Sequence, residues 1–271
     1  MINADYHTHS TYCDGKNALE EMVEGALNKG LFGIGFTGHS HTSFDEAYCM
    51  SEEDTKNYIK DIDRLKEKYK GKIEVYLGIE LDKYSDLKEL SPYDYIISSV
   101  HYVFKNGNYL PVDEDEDLFK YNIEKYYGGD VYSFCEDYYK EVMKLAKIPY
   151  ADIIAHIDLV TKFNEVGKLF DIQNERYIKA ENEALYALAA ENKILEINTG
   201  AMSRGYRNEP YPSRDILKKW KKLGGRVILS GDAHSVDGLC YKFDFAEEIA
   251  KCCGFKTVTV FKNGEMAEID L

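Results

Sequence analysis

The chain of 271 residues holds seven histidines, and two of them, His7 and His9, stand two apart behind Asp5 in "DYHTH". On a strand that spacing sends both imidazoles to one face, which suits a pair of metal ligands. The others extend the pattern. His39 follows "GIGFTG", with His41 two residues on. His101 follows "YIISSV", His156 follows "DIIA" and His234 follows "VILSGDA". Carboxylates keep them company: Asp14 lies five residues after His9, Glu80 ends "EVYLGIE", and Asp232 precedes His234 by two. Neutral imidazoles with carboxylates suit Zn, Mn or Fe better than Ca or Mg. A zinc-type ion takes about four or five ligands counting water. The nine candidates His7, His9, Asp14, His39, Glu80, His101, His156, Asp232 and His234 therefore imply two or three ions, with Glu80 a candidate bridge.

Something must gather residues so scattered along the sequence. Strand-like runs occur at Ile2–Thr8, Phe32–Thr37, Ile73–Leu81, Tyr95–Val100, Asp152–His156, Ile194–Asn198 and Val227–Gly231, and the alternation of Ile73, Val75, Leu77 and Ile79 has the strand period. Helical stripes fall between them. Asn17 with Glu20 resembles a capping box ahead of Leu19, Met22, Val23, Ala26 and Leu27, and Gly30 closes that helix. Asp171–Asn192 reads as a helix with Ile178, Leu185, Leu188 and Ala189 on one side. Phe245, Ala246, Ile249, Ala250 and Cys253 repeat the stripe, and the tail "TVTVFKNGEMAEID" reads as a hairpin turning at Asn263-Gly264. Alternating strands and helices in one undivided chain imply a mostly parallel α/β sheet. The number of units favours a barrel, although periodicity does not separate a closed barrel from an open sheet. In either, the carboxyl ends of the strands share one rim, where active sites are built. Every histidine in the pattern sits at or just past such an end.

Composition excludes several function classes. An apolar fraction of 44% and a charged fraction of 30% are ordinary for a globular protein. No run of about 18 apolar residues predicts a membrane span, and the N-terminus lacks the basic-then-apolar pattern of a secretory signal. The six cysteines form no CxxC pair and read as reduced thiols of a cytoplasmic protein. A net charge of −14 argues against a nucleic-acid surface. No glycine-rich phosphate loop follows any strand.

The segments "DYHTHSTYCDG", "TGHSH", "GIE", "SVH", "AHID" and "GDAH" resemble the ordered motifs of the polymerase-and-histidinol-phosphatase (PHP) family, from Asp5 to His234. DxHxH alone is weak, since amidohydrolases carry similar pairs; the ordered set is specific. "EINTGAMSRGYRNEPYPS" is similar to a segment of the monofunctional histidinol-phosphatases, whose length the chain also matches. The resemblance implies one PHP-type domain over residues 1–271, folded as a distorted (β/α)7 TIM-like barrel with three divalent ions. By position it implies one ion on His7, His9, Glu80 and Asp232, a second on Glu80, His101 and His156, and a third on Asp14, His39 and His234. "TGHSH" departs from the pattern, with Gly38 where many relatives have Asp, and His41 matches no ligand and reads as a rim residue.

The activity implied is hydrolysis of L-histidinol phosphate by hydroxide bound between ions, in line with the leaving alkoxide. Three divalent ions against three carboxylates leave a centre of about +3, which attracts phosphate whatever the charge of the whole chain. Asp232 would orient the nucleophile, and His234 or a coordinated water would protonate the leaving oxygen. Lys162, Arg204 and Arg207 fall in loops on the same rim and suit phosphate contact. The insert Lys105–Asp130 after His101, with the acidic run Asp113–Asp117, reads first as a solvated loop and second as a lid toward the cationic end of the substrate. Rival readings are a PHP phosphoesterase for another small ester or nucleotide, an amidohydrolase-like deacylase, and a non-catalytic metal-binding module. The deacylase would more typically show a bridging lysine where Glu80 stands.

Overall fold

The computed structural model describes residues 2–149 and 151–271. In chain order the elements are β1 (Ala4–Asp5), α1 (Leu19–Asn28), β2 (Gly33–Phe36), α2 (Glu52–Tyr69), β3 (Glu74–Asp82), β4 (Tyr95–Ser99), β5 (Tyr102–Lys105), β6 (Asn108–Pro111), α3 (Glu116–Tyr127) and α4 (Val131–Leu145). There follow β7 (Ile153–Ile154), α5 (Glu175–Ala190), β8 (Ile194–Asn198), α6 (Gly200–Ser203), α7 (Arg214–Lys222), β9 (Arg226–Ser230), α8 (Phe243–Cys252), β10 (Thr257–Lys262) and β11 (Glu265–Asp270).

All seven expected strands appear, side by side and parallel, in the order β1-β2-β3-β4-β7-β8-β9. The sheet curls until its edges meet. His9 N–H donates to Ala233 O at 2.9 Å and Ala233 N–H to His7 O at 3.0 Å, closing β1 onto the segment after β9. This is the distorted barrel that the strand count suggests. β1 and β7 are shorter than expected, two residues each, although extended chain continues past them. Thr37 N–H still donates to Thr8 O and Ala155 N–H to Ser98 O, both at 2.9 Å.

The tail is a hairpin turning at Asn263 and Gly264, both at positive φ. Unexpectedly, its first strand also joins the barrel sheet, β10 lying parallel beside β9. Phe261 of β10 packs among Tyr6, Tyr76 and Tyr95, and Tyr6 Oη donates to Phe261 O at 2.9 Å. Tyr95 reaches across the barrel interior over two glycines, Gly35 and Gly78. A Cβ on either would collide with the Tyr95 ring or its hydroxyl, so only glycine leaves room.

Helices cover the outside with the faces that their sequences mark as apolar. α1 buries Leu19, Met22, Val23 and Ala26, each larger side chain contributing about 1.5–3 kcal/mol. The capping box differs from expectation by one residue. Ala18 is the N-cap, its N–H donating to Glu21 Oε2 at 2.9 Å, while Asn17 adds a bond to the same oxygen. Gly30, at φ +74°, ends α1 as expected: Gly30 N–H bonds to Leu27 O and Leu31 N–H to Ala26 O. α5 starts at Glu175 behind the N-cap Asn174, four residues later than expected. The insert after β4 folds as the hairpin β5–β6 followed by α3 and α4. No helix among the described residues is long and apolar enough to cross a membrane.

Candidate active site

The expected residues converge on the carboxyl-end rim because the strand ladders continue beyond the strands. His39 pairs with Glu80 in a parallel bridge, with Ser40 N–H donating to Glu80 O at 3.0 Å. His7 and His9 are fixed by the seam that closes the barrel. Asp5, the first residue of DxHxH, holds the other side of that seam, accepting the N–H groups of Gly231 and Cys240 at 2.8 Å each. Burial pushes its carboxyl up to about 6. Asp232 then leaves β9 at φ +45°, a left-handed conformation that an L residue adopts only when its surroundings impose it.

Glu80 is 1% exposed and faces two ways. Its Oε1 lies 3.3 Å from His156 Nε2 and 3.4 Å from His101 Nε2. Its Oε2 lies 3.1 Å from His7 Nε2, 3.1 Å from His39 Nδ1 and 3.6 Å from His9 Nε2. Asp232 Oδ1 is 3.2 Å from His9 Nε2 and 3.8 Å from His7 Nε2. Asp14 reaches His234 Nε2 at 3.0 Å, His9 Nδ1 at 3.5 Å and His39 Nε2 at 3.7 Å. Three groups of donor atoms cluster within 4.8 Å: His9, Asp14, His39 and His234; His7, His9 and Asp232; His39, Glu80 and His101. They overlap the three ligand sets that the family resemblance implies without coinciding with them.

These residues fit divalent ions. Ligands about 2.1 Å from a shared tetrahedral ion sit about 3.4 Å apart, the spacing seen here. His9 Nε2 is fully buried and has no hydrogen-bond partner among the described residues, although two carboxylates stand close. A nitrogen left this way points at a shared space rather than at a neighbour. Charge points the same way. Burial alone would raise Glu80, but His39 and His7 hold it well below the usual carboxylate range. Burial likewise opposes the ionised form of Asp232, which Arg204 and His7 keep well below its ordinary value. Burial lowers His9 to about 3, helped by His234 and His39, whereas the carboxylates beside His7, His39 and His101 outweigh burial and raise all three.

The cluster forms the floor of a cavity of about 420 Å³. Lys162 and Arg204 line it, as expected of them. Lys162 Nζ donates to Asp113 O at 2.6 Å and sits 4.8 Å from the Tyr206 ring centre. Arg204 donates to Asp232 Oδ2 at 3.1 Å and approaches His234 Nδ1 at 2.9 Å. Arg207 is elsewhere. Its guanidinium stacks 4.4 Å from the Tyr211 ring centre, bonds to Thr161, and lines a second cavity. His41 stays off the cavity, 3.4 Å from Glu46. At Gly38 a side chain would meet Met50 Cε at 3.1 Å, Met50 Sδ at 3.2 Å and Cys13 Sγ at 3.5 Å, so Met50 and Cys13 crowd this position.

Three residues of the cavity carry no signal in the sequence: Asp45 and Tyr48, from the loop after His39, and Tyr102 of β5. Asp113 and Glu114, from the acidic run of the insert, line it with them. Asp113 and Glu114 thus face the cavity rather than open solvent alone. Tyr102 Oη donates to Asp45 Oδ2 at 2.7 Å. Burial and the carboxylates of Asp45, Asp115 and Asp113 push Glu114 up; among the described residues neither Asp45 nor Glu114 has a cation within ion-pair distance. Behind the cluster, Asp82 Oδ2 lies 3.2 Å from His101 Nδ1, and Glu196 Oε1 lies 2.6 Å from His7 Nδ1. For these two the sequence shows only a carboxylate on a strand that runs toward the histidine rim, with nothing local to tell which histidine it faces.

Comparison with known proteins bears on the fold and the family. A histidinol-phosphatase of Bacillus subtilis is 27% identical over 90% of this chain and 98% of its own. A crystal structure from Listeria monocytogenes shares the fold, with TM-score 0.77 and 20% identity, over 89% of this chain and 99% of that one. Another, of histidinol phosphate phosphatase from Lactococcus lactis complexed with Zn, L-histidinol and phosphate, superposes with TM-score 0.72 and 22% identity, over 98% of this chain and 99% of that one. The PHP domain family matches residues 5–200, and the chain belongs to the PHP family.

Proposed function

We propose that the chain is a metal-dependent phosphomonoesterase that hydrolyses L-histidinol phosphate to L-histidinol and phosphate, a step of histidine biosynthesis carried out in the cytoplasm. The observation that carries the proposal is the two-sided cavity. The histidine–carboxylate floor and Arg204 share the cavity with the uncompensated acids Asp45 and Glu114 among tyrosines, while Lys162 pairs with Asp113 at 3.3 Å. A substrate with a phosphate at one end and an ammonium and imidazole at the other matches both sides. The same reading takes residues 1–271 as one PHP domain whose partner is a small phosphate ester, with no nucleic acid or membrane.

His7, His9, Asp14, His39, Glu80, His101, His156, Asp232 and His234 would hold three divalent ions, drawn from Zn, Mn and Fe. Such ions, when bound, supply positive charge for phosphoryl oxygens and lower the pKa of coordinated water toward about 7. Lys162 and Arg204, both lining the cavity, would bind phosphoryl oxygens, Arg204 with the N–H groups that Asp232 and His234 leave free. The Asp232 carboxylate, held by Arg204, would orient the attacking nucleophile toward phosphorus. The leaving oxygen would take its proton from a coordinated water or from His234, which opens to the cavity beside Asp14. Glu80 spans the cluster and sets the separation of its two halves. Arg207 acts indirectly, by holding the Tyr211 ring behind His156.

The test is phosphate release from L-histidinol phosphate, p-nitrophenyl phosphate and a nucleotide monophosphate, after chelation and refilling with Zn, Mn or Fe. Metal-dependent turnover strongly favouring histidinol phosphate is expected. Equal weak turnover of all three would remove the substrate and keep the phosphoesterase. No turnover with any metal would remove the phosphatase.

A further inference from the structure

Glu196 sits at the centre of β8, 1% exposed. Its two oxygens reach two segments that carry candidate ligands and, through Asn198, a third. Oε1 takes the 2.6 Å contact with His7 Nδ1. Oε2 accepts the backbone N–H of His156 at 3.2 Å and Asn198 Nδ2–H at 2.9 Å. The same Asn198 nitrogen lies 3.4 Å from Asp232 Oδ2, while Asn198 Oδ1 accepts Gly200 N–H at 2.8 Å, so the amide is oriented. Both Glu196 oxygens are taken by these donors, and Glu196 is not in any of the three donor groups.

We infer that Glu196 is a positioning residue of the metal centre, acting through His7 and the His156 and Asp232 segments. The inference rests on the metal-binding part of the function proposed above. An imidazole ligates through the nitrogen that carries no proton, and a carboxylate at the other nitrogen keeps the proton there. His7 turns Nδ1 to Glu196 and Nε2 to Glu80, 3.1 Å away. Glu196 therefore fixes the tautomer that makes Nε2 the donor and raises its basicity. Through the His156 backbone and Asn198 it also locks two facing segments in register with His7. Packing alone does not ask for an acid here. The neighbours Ile194, Leu195 and Ile197 are buried and apolar, and a buried carboxylate is costly unless paired. The other half of the centre is supported differently: His9 Nδ1 faces Cys13 Sγ and Asp14 Oδ1, each at 3.5 Å. Loss of Glu196 should therefore be felt unevenly.

The experiment compares wild type, Glu196→Gln and Glu196→Asp for Zn bound per chain and for affinity under chelator-buffered Zn, with the melting temperature of each metal-free protein. Glu196→Gln keeps the shape and loses the charge. It should bind the ions on the His7 and His156 side about 10–100-fold more weakly. The Asp14, His39 and His234 side should keep wild-type affinity, and the metal-free melting temperature should be unchanged. Glu196→Asp keeps the charge with a shorter reach and should fall between. Wild-type affinity at every site in either folded variant would overturn the inference. So would an even loss at all sites with a fall in metal-free melting temperature, the mark of a purely structural acid. If Glu196→Gln does not fold, Glu196→Asp decides by the same two criteria. A wild-type chain that takes up no Zn would overturn this inference together with the metal reading. An uneven loss in a chain that does not hydrolyse histidinol phosphate would support the inference and remove only the substrate.

Discussion

The two sides of the cavity are built by opposite means. The floor comes from strand ends whose backbone ladders run on into the ligand residues, as the His39–Glu80 bridge and the Ala233 bonds at the seam show. Most of its side chains are buried, and their donors lie 3.0–3.8 Å apart. The wall comes from the loop after β2 and the insert after β4, and its acids are more open: Glu114 is exposed and pairs with no cation among the described residues. A floor fixed by the sheet can hold charges that water would otherwise separate. A wall on loops can change its chemistry without disturbing that floor. The floor should thus carry the reaction, and the wall should choose the substrate.

The strongest way to break this comparison is Glu80→Gln. Glu80 faces both halves of the floor, one oxygen toward His156 and His101 and the other toward His7 and His39. Neutralising it should lower kcat/KM by about a thousandfold, or about 4 kcal/mol, for histidinol phosphate and p-nitrophenyl phosphate alike, with loss of bound metal measured in parallel. Arg204→Ala comes next. It removes a donor from the cavity and frees Asp232 from its guanidinium partner. A fall of about a hundredfold in kcat/KM for both esters, about 2.7 kcal/mol, is the expected outcome, and Arg204→Lys should recover little of it because a single ammonium lacks the planar fork.

The wall should behave otherwise. Glu114→Gln should raise KM for histidinol phosphate about fivefold, near 1 kcal/mol for a partly exposed pair with an ammonium, and leave kcat and all p-nitrophenyl phosphate constants unchanged. A change in kcat would show that the wall takes part in the chemistry.

The floor is legible in the sequence and the wall opaque for the same reason. A strand end is marked by periodicity, so the runs "YIISSVH" and "DIIAH" by themselves assign their histidines to the rim. Glu196 and Asp82 obey the same periodicity but look like ordinary buried-strand irregularities, because nothing local tells which acid faces a histidine. The wall has no period. "HTSFDEAYC" contains Asp45 and Tyr48 in a loop whose course is set by distant bonds, such as Ser43 N–H to Asp86 Oδ2 at 2.7 Å. Arg207, three residues past Arg204, reads as its equal in sequence; one turn of loop sends it to Tyr211 instead. β10 reads as half of an isolated hairpin because its parallel partner, β9, is brought beside it only by α8 packing back.

The run Asp113–Asp117 sharpens the comparison at its finest grain, since consecutive acids do three different jobs. Asp113 and Glu114 line the cavity. Asp115 is the N-cap of α3, its Oδ1 accepting Leu118 N–H at 2.8 Å. Glu116 pairs with Lys120 and Lys168 on the surface. If the wall acts by local charge at the cavity, equal losses of charge must give unequal effects. Asp115→Ala removes a cap and should cost about 1 kcal/mol of stability, read as a lower denaturation midpoint. KM should move by no more than about twofold, within the range of a weak through-space charge, because Asp115 does not line the cavity. A KM change as large as that of Glu114→Gln would mean that the run acts as one diffuse acidic field, and the division of labour within it would fall.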